Sequence, residues 1–226
     1  MKHLNYDCLI ISGGEFCRIE AAGAEKPFVI ACDRGYQYAK RMDITPDMII
    51  GDFDSAPPPE SDDIPVERLP VRKDDTDTMH AARIAVDRGF RRIAICCGLG
   101  GRFDHSFANI QTATFIAKSG AVCDIIGVET YIRIFSASQE YRVQLASGRE
   151  YRVQLASETF PRREGYSFSV FSLTERCTGV SIAGSSYDCT DIEITQDFPI
   201  GEGNSWEADE IEISLKTGII MVVMGR

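Results

Sequence analysis

Short continuous apolar runs dominate the first 128 residues: CLIIS (8–12), FVIAC (28–32), MIIGD (48–52), RIAICCG (92–98) and AVCDIIG (121–127). Runs of that length without polar alternation predict strands buried on both faces. Between them RGYQYAKRM (34–42), DTMHAARIAVDRG (77–89) and FDHSFANIQTATFIAKSG (103–120) carry helical spacing, with Gly89 and Gly120 where C-caps belong. Strand–helix alternation of this kind predicts an α/β domain, a Rossmann-like, mostly parallel sheet with helices on both faces.

After Thr130 the helical pattern stops. TYIRIFS, EYRVQLA, YSFSVFSL, TDIEITQ, DEIEISLK and GIIMVVM alternate or run apolar at strand length, separated by Gly, Ser and Asn. They predict an all-β, sandwich or barrel-like second domain. The expected organisation is therefore an α/β domain over 1–129 and a β domain over 130–226. EYRVQLAS occurs twice, at 140–147 and 150–157, separated by Gly148 and Arg149. Two copies do not make a solenoid; the expectation is a loop or hairpin extension outside the active site, with pairing of the copies around SGR as one form it could take.

Composition narrows the function classes. A formal net charge of −10 argues against general nucleic-acid binding, while small anionic ligands remain compatible. No apolar run reaches the roughly 20 residues of a bilayer span. The opening MKHLNYDCLIISGGE lacks a signal peptide's pattern, because Asp7 interrupts it and Gly13 and Gly14 end it. Eight cysteines without CxxC spacing read as reduced core thiols, so a cytoplasmic protein is expected.

The chemistry gathers where strands end. GDFDS (51–55) closes one apolar run; if the chain stays extended through Ser55, Asp52 and Asp54 share a face and need a cation between them. RKDDTDTMHAA (72–82) offers Lys73, Asp74, Asp75, Thr76 and Asp77. GLGGRFDHS (98–106) offers Gly100, Gly101, Arg102, Asp104 and His105, and CDRG (32–35) adds Asp33. Each cluster also has a plain reading: Asp and Thr before a helix are ordinary N-caps, GLGGR is a tight turn, and DFD is a solvated loop tip. Together they place carboxylates, an Arg, a Lys and a helix start at one sheet edge, where ligands of parallel sheets bind. Hard oxygen ligands beside a phosphate-binding turn point to Mg²⁺-dependent chemistry on a nucleoside triphosphate without a P-loop.

GDFDS, KDDTD and GGRFDH in this order, in an αβ domain followed by a β domain, resemble the thiamin pyrophosphokinase (thiamin diphosphokinase) family over essentially the whole chain. The resemblance implies transfer of the β,γ-diphosphate of ATP to the hydroxyl of thiamin, giving thiamin diphosphate and AMP. It implies homodimers with sites shared between the αβ domain of one subunit and the β domain of the other. It makes Asp52, Asp54 and Asp77 the Mg²⁺ and diphosphate carboxylates, with Arg102 on phosphate and Asp104 on substrate or metal. Asp33, Lys73, Asp74, Thr76, Gly100, Gly101 and His105 join the nucleotide side.

In the β domain GSSYDC (184–189) and GEGNSW (201–206) stand where the family's thiamin pocket lies. Tyr187 and Trp206 are the candidates to stack on the cationic ring, and Asn204 to hydrogen-bond the pyrimidine. Gly203 and Ser205 depart from the family's Ser and Glu there, and Arg34 from a Gly. Trp206 is equally readable as a core aromatic. Two further readings stand beside this one: a diphosphokinase acting on another alcohol, such as a hydroxymethylpterin, and a non-catalytic nucleotide- or thiamin-binding protein.

Overall fold

The computed structural model describes residues 6–19, 26–53, 63–70, 74–137, 140–144 and 150–226. Two compact units divide the chain: 1–116 with 121–130, and 117–120 with 131–226.

The first unit holds β1 (Cys8–Ile11), β2 (Phe28–Cys32), α1 (Gly35–Arg41), β3 (Met48–Gly51), β4 (Val66–Arg68), α2 (Asp77–Asp87), β5 (Arg92–Cys96), α3 (Phe103–Lys118) and β6 (Val122–Ile126). Its strands lie in the order β6-β5-β1-β2-β3-β4, every neighbouring pair parallel. The five apolar runs became five of these strands. β4 was not foreseen, because three residues, VER, at the sheet edge bury too little to show an apolar run.

Strand alternation sorts the core. Leu9 and Ile11 of β1, with Ala94 and Cys96 of β5, turn to one face and pack with Tyr38, Ala39 and Met42 at α1. α1 sits so close that a Cβ on Gly35 would come within 1.9 Å of the Ile11 carbonyl oxygen. α2 begins at Thr76, an extended residue whose hydroxyl accepts the Met79 N–H at 3.1 Å, the ordinary N-cap bond. Gly89 follows α2 at φ 80 and Gly120 follows α3 at φ 85, as the C-cap reading required.

The second unit contains β7 (Thr130–Ser136), β8 (Glu140–Gln144), β9 (Glu150–Gln154), β10 (Ala156–Pro161), β11 (Ser167–Ser172), β12 (Arg176–Ala183), β13 (Cys189–Thr195), β14 (Glu210–Leu215) and β15 (Ile219–Gly225). β10-β14-β12-β13 form an all-antiparallel sheet. β15 lies between β11 and β7, antiparallel to β11. Phe135 of β7 meets Phe160 of β10 at 6.5 Å between ring centres. The EYRVQ copies pair with each other as β8 and β9, Arg142 opposite Arg152, which is the expected hairpin. β10 and β12 were not anticipated. The first is polar and ends in Pro161, and Gly179 at φ 66 interrupts the second.

The chain thus combines parallel and antiparallel strands with a separate all-antiparallel sheet and, among the described residues, three helices. No helix there is long and apolar enough to cross a membrane.

Gly35→Ala should lower unfolding stability by more than about 2 kcal/mol, since backbone on backbone cannot relax cheaply; denaturant titration measures it. Thr76→Ala should cost about 1 kcal/mol and Thr76→Ser should restore it, because the hydroxyl acts as a cap.

Candidate active site

From β1 the chain adds β2, β3 and β4 on one side, then returns to place β5 on the other side of β1. The connections after β2 and β5 therefore lead away in opposite directions, and a crevice opens beyond the carboxyl ends of these strands. A cleft of about 920 Å³ lies there. Residues 12–16 after β1, 32–34 after β2, 76–78 at the start of α2 and 100–102 before α3 line it, with Tyr38, His105, Ala108 and Asn109.

Its floor is backbone bonded to backbone. Ser12 donates its N–H to Cys96, Gly14 to Cys97 and Glu15 to Leu99, each at 2.9 Å. No side chain fits at position 14, where a Cβ would stand 2.6 Å from the Cys97 oxygen and 2.8 Å from that of Leu99. The Tyr38 hydroxyl donates to the Gly14 carbonyl at 2.9 Å, and the buried hydroxyls of Ser12 and Thr78 meet at 2.9 Å. Buried Asn109 donates from Nδ2 to the Gly98 carbonyl at 2.7 Å, holding the β5–α3 turn against its own helix.

Three strands end in left-handed residues other than glycine: Asp33 at φ 45, Phe53 at φ 56 and Cys97 at φ 54. Each such residue stores on the order of 1 kcal/mol or more of strain, and such residues gather at functional sites. Asp33 also donates its N–H to Ile50 of β3 at 2.8 Å, which sets its backbone against Gly51. The Cys32 thiol reaches the Asp77 carbonyl at 3.6 Å. Asp33 and Asp77 thus both reach the cleft, with Asp52 at the adjoining strand end.

The shared-face argument for Asp52 and Asp54 does not survive. β3 ends at Gly51 and Phe53 turns left-handed, so extended alternation stops before residue 54. Asp54 and Lys73 lie outside the described residues. Asp74 is exposed and is not among the residues lining the cleft, whereas its neighbour Asp75 pairs with Arg83 at 3.1 Å. Thr76 lines the cleft while capping α2.

Gly100 and Gly101, at φ 83 and 69, bend the chain into α3. At the mouth of that turn Arg102 and Asp104 face each other as a fork: Nε donates to Oδ1 at 3.1 Å and Nη2 to Oδ2 at 2.5 Å. The Arg102 hydrogen bonds hold the Asp104 carboxyl below the usual carboxylate range. His105 donates its N–H to the same carboxylate at 3.0 Å. Two residues expected on separate ligand groups are therefore partners of one another.

In the second unit Tyr187 is 74% exposed. Trp206 is buried, edge-on to Phe168 at 4.9 Å, and donates from Nε1 to the Phe160 carbonyl at 3.1 Å. That is the core-aromatic reading. The Asn204 amide is bonded mainly to the 185–187 turn. Its oxygen accepts from Ser186, Tyr187 and Ser205, and its nitrogen donates to the Ser185 hydroxyl and the Tyr187 carbonyl.

Sequence reasoning missed the turn at 12–16, Arg34, Tyr38 and Asn109. The available signal was SGG directly after an apolar strand, the same punctuation that marked 98–101. Among the described residues no group of three or more His, Cys, Asp or Glu is placed to hold a metal ion. The donor set on this edge still suits Mg²⁺, which takes one or two protein carboxylates and completes its shell with phosphate oxygens and water.

Residues 20–123 match the family model of the thiamin pyrophosphokinase catalytic domain. The thiamine pyrophosphokinase of Bacillus subtilis shares the fold with a TM-score of 0.79 at 21% identity, over 96% of this chain and 98% of that one. That of Geobacillus thermodenitrificans gives 0.76 at 20%, over 97% of each chain. The Candida albicans enzyme gives 0.71 at 13%, over 98% of this chain and 90% of its own. No curated protein sequence gives a significant match. Residues 20–123 of this chain thus resemble the catalytic domain of the thiamin pyrophosphokinase family, within a fold shared with such enzymes from bacteria and yeast.

Proposed function

We propose that the protein is a thiamin diphosphokinase, which moves the β,γ-diphosphate of ATP onto the hydroxyl of thiamin and releases AMP. The observation that carries this reading is the cleft beyond the carboxyl ends of β1, β2 and β5. It joins Asp33 and Asp77 on one side to the glycine turn and Arg102 on the other, largely within the matched catalytic segment. Right-handed crossovers would put α1 on one sheet face and α2 and α3 on the opposite one, a doubly wound, Rossmann-like arrangement. Residues 1–129 then act as the ATP and Mg²⁺ domain and 130–226 as the thiamin and dimerisation domain. The same reading takes the protein as a cytoplasmic homodimer whose sites combine both domains, one from each subunit.

Asp52, Asp54 and Asp77 would hold Mg²⁺, with Asp33 beside them. Bound there, the cation supplies charge neutralisation and polarisation of the phosphate oxygens. Backbone N–H groups at 100–101, with Arg34, Lys73 and Arg102, bind the phosphate chain. Arg102 must exchange Asp104 for phosphate, so nucleotide competes with a carboxylate already in its fork. The acceptor hydroxyl attacks the β-phosphorus in line, AMP leaves, and the protein's part is positioning and charge complementarity. No covalent intermediate is required.

One observation favours a second reading for the acceptor. Asn204 and Trp206, the family-based thiamin residues, are engaged inside the second unit, which leaves Tyr187 as the exposed aromatic. Diphosphate transfer to a pterin alcohol uses the same carboxylate edge.

Incubation with Mg²⁺, ATP and thiamin, read by mass spectrometry, should give thiamin diphosphate and AMP in equal amounts. AMP formed only with the pterin alcohol would replace the acceptor, and no AMP with any alcohol would leave a binding protein. Asp77→Asn should lower turnover by about 100-fold or more while the melting temperature stays near wild type. Near-normal turnover would remove Asp77 from the metal and phosphate site.

A further inference from the structure

Cys17 and Cys97 are 80 residues apart in the chain, yet their sulfurs lie 3.6 Å apart beside the floor of the cleft. Their backbones lock the pair in place. Cys17 donates its N–H to the Cys97 sulfur at 3.4 Å, and the Cys97 thiol donates to the Cys17 carbonyl at 3.4 Å. A disulfide needs the sulfurs at about 2.05 Å, so a closure of roughly 1.5 Å would join them.

We propose that Cys17 and Cys97 are a thiol–disulfide modification site, oxidised by hydrogen peroxide, and that the cross-link disables nucleotide binding in the cleft. The Cys17 thiolate attacks the peroxide oxygen, leaving a sulfenic acid and, with a proton, one water. The Cys97 sulfur then attacks the sulfenyl sulfur, its proton leaves with the hydroxide, and a second water is released. Two thiols are oxidised and one hydrogen peroxide is reduced to two waters.

The two sulfurs differ in the way that order requires. Cys17 keeps 6% exposure and Cys97 none, so the peroxide reaches Cys17 first. The hydrogen bond between the two thiols brings Cys17 down to about 7, and the same bond with burial pushes Cys97 up. Burial drives Cys8 up to about 12 and raises Cys96 and Cys123, which keeps those thiols inert. Damage to the cleft follows from connectivity. Cys17 directly follows the lining turn at 12–16, and the Cys97 carbonyl accepts the Gly14 N–H on which that turn rests. Closing the sulfurs drags both loops together where position 14 already has no room for a side chain.

The test oxidises the whole protein with hydrogen peroxide, blocks remaining thiols with N-ethylmaleimide and maps peptides without reduction. The expected product is a Cys17 peptide joined to a Cys97 peptide, two hydrogens lighter than the sum and released by dithiothreitol. Binding of a fluorescent ATP analogue should fall at least tenfold and recover on reduction. Cross-link formation should be slower at pH 6 than at pH 8.5, because the thiolate is the attacking form and the Cys17 thiol is held below the usual thiol range. Cys17→Ser should bind the analogue as wild type does and lose its peroxide sensitivity. A different cysteine pair, no cross-link, or cross-linked protein with unchanged binding would overturn the proposal. The peptide map does not depend on the thiamin reading, so failure of either is recognisable without the other.

Discussion

The backbone hydrogen bonds that join the loops after β1 and β5 are the constraint around which the site is arranged. A parallel sheet that grows first to one side of its starting strand and then to the other must leave a gap at that strand's carboxyl end. Backbone buried there without partners would be costly, and three N–H to carbonyl bonds from 12–15 to 96–99 satisfy it. That stitching allows nothing larger than glycine at position 14 and carries the turn that borders the cleft.

Strain and charge collect on the same edge. Left-handed Asp33, Phe53 and Cys97 end three strands, and the apolar β-strands and packed helices behind them hold those conformations in place. The carboxylates lie on the β2–β3 side, while the glycine turn and Arg102 lie on the β5 side. Such a division suits a polyanion bridged by a cation. The Arg102–Asp104 fork keeps the guanidinium oriented at the mouth, in a geometry that phosphate oxygens also satisfy.

The second unit shows how a residue type misleads when its surroundings are unknown. Asn and Trp in a loop between strands suggest ligand recognition, since both are costly to bury unsatisfied. Here the fold itself provides the partners: five bonds for the Asn204 amide, and the Phe160 carbonyl for Trp206. Both are consistent with holding the 184–188 turn against the sheet, where Tyr187 projects.

Apolar runs and helical spacing by themselves determined five strands and three helices of the first unit, because burial on both sheet faces writes a continuous signal into those strands. Thr76 as a cap, Gly89 and Gly120 as stops, and the EYRVQ hairpin were also legible, since their physics is local. Three-residue β4, polar β10 and the interrupted β12 were not, because what makes them strands is a partner far along the chain. Clusters at 32–35, 72–82 and 98–106 could be named from sequence, yet only the tertiary structure decided which of their side chains reach the cleft. It also supplied the 12–16 turn, paired Arg102 with Asp104, and brought Cys17 to Cys97. Those outcomes depend on strand order and on backbone turns at Asp33, Phe53 and Cys97, and neither leaves a periodicity in the chain.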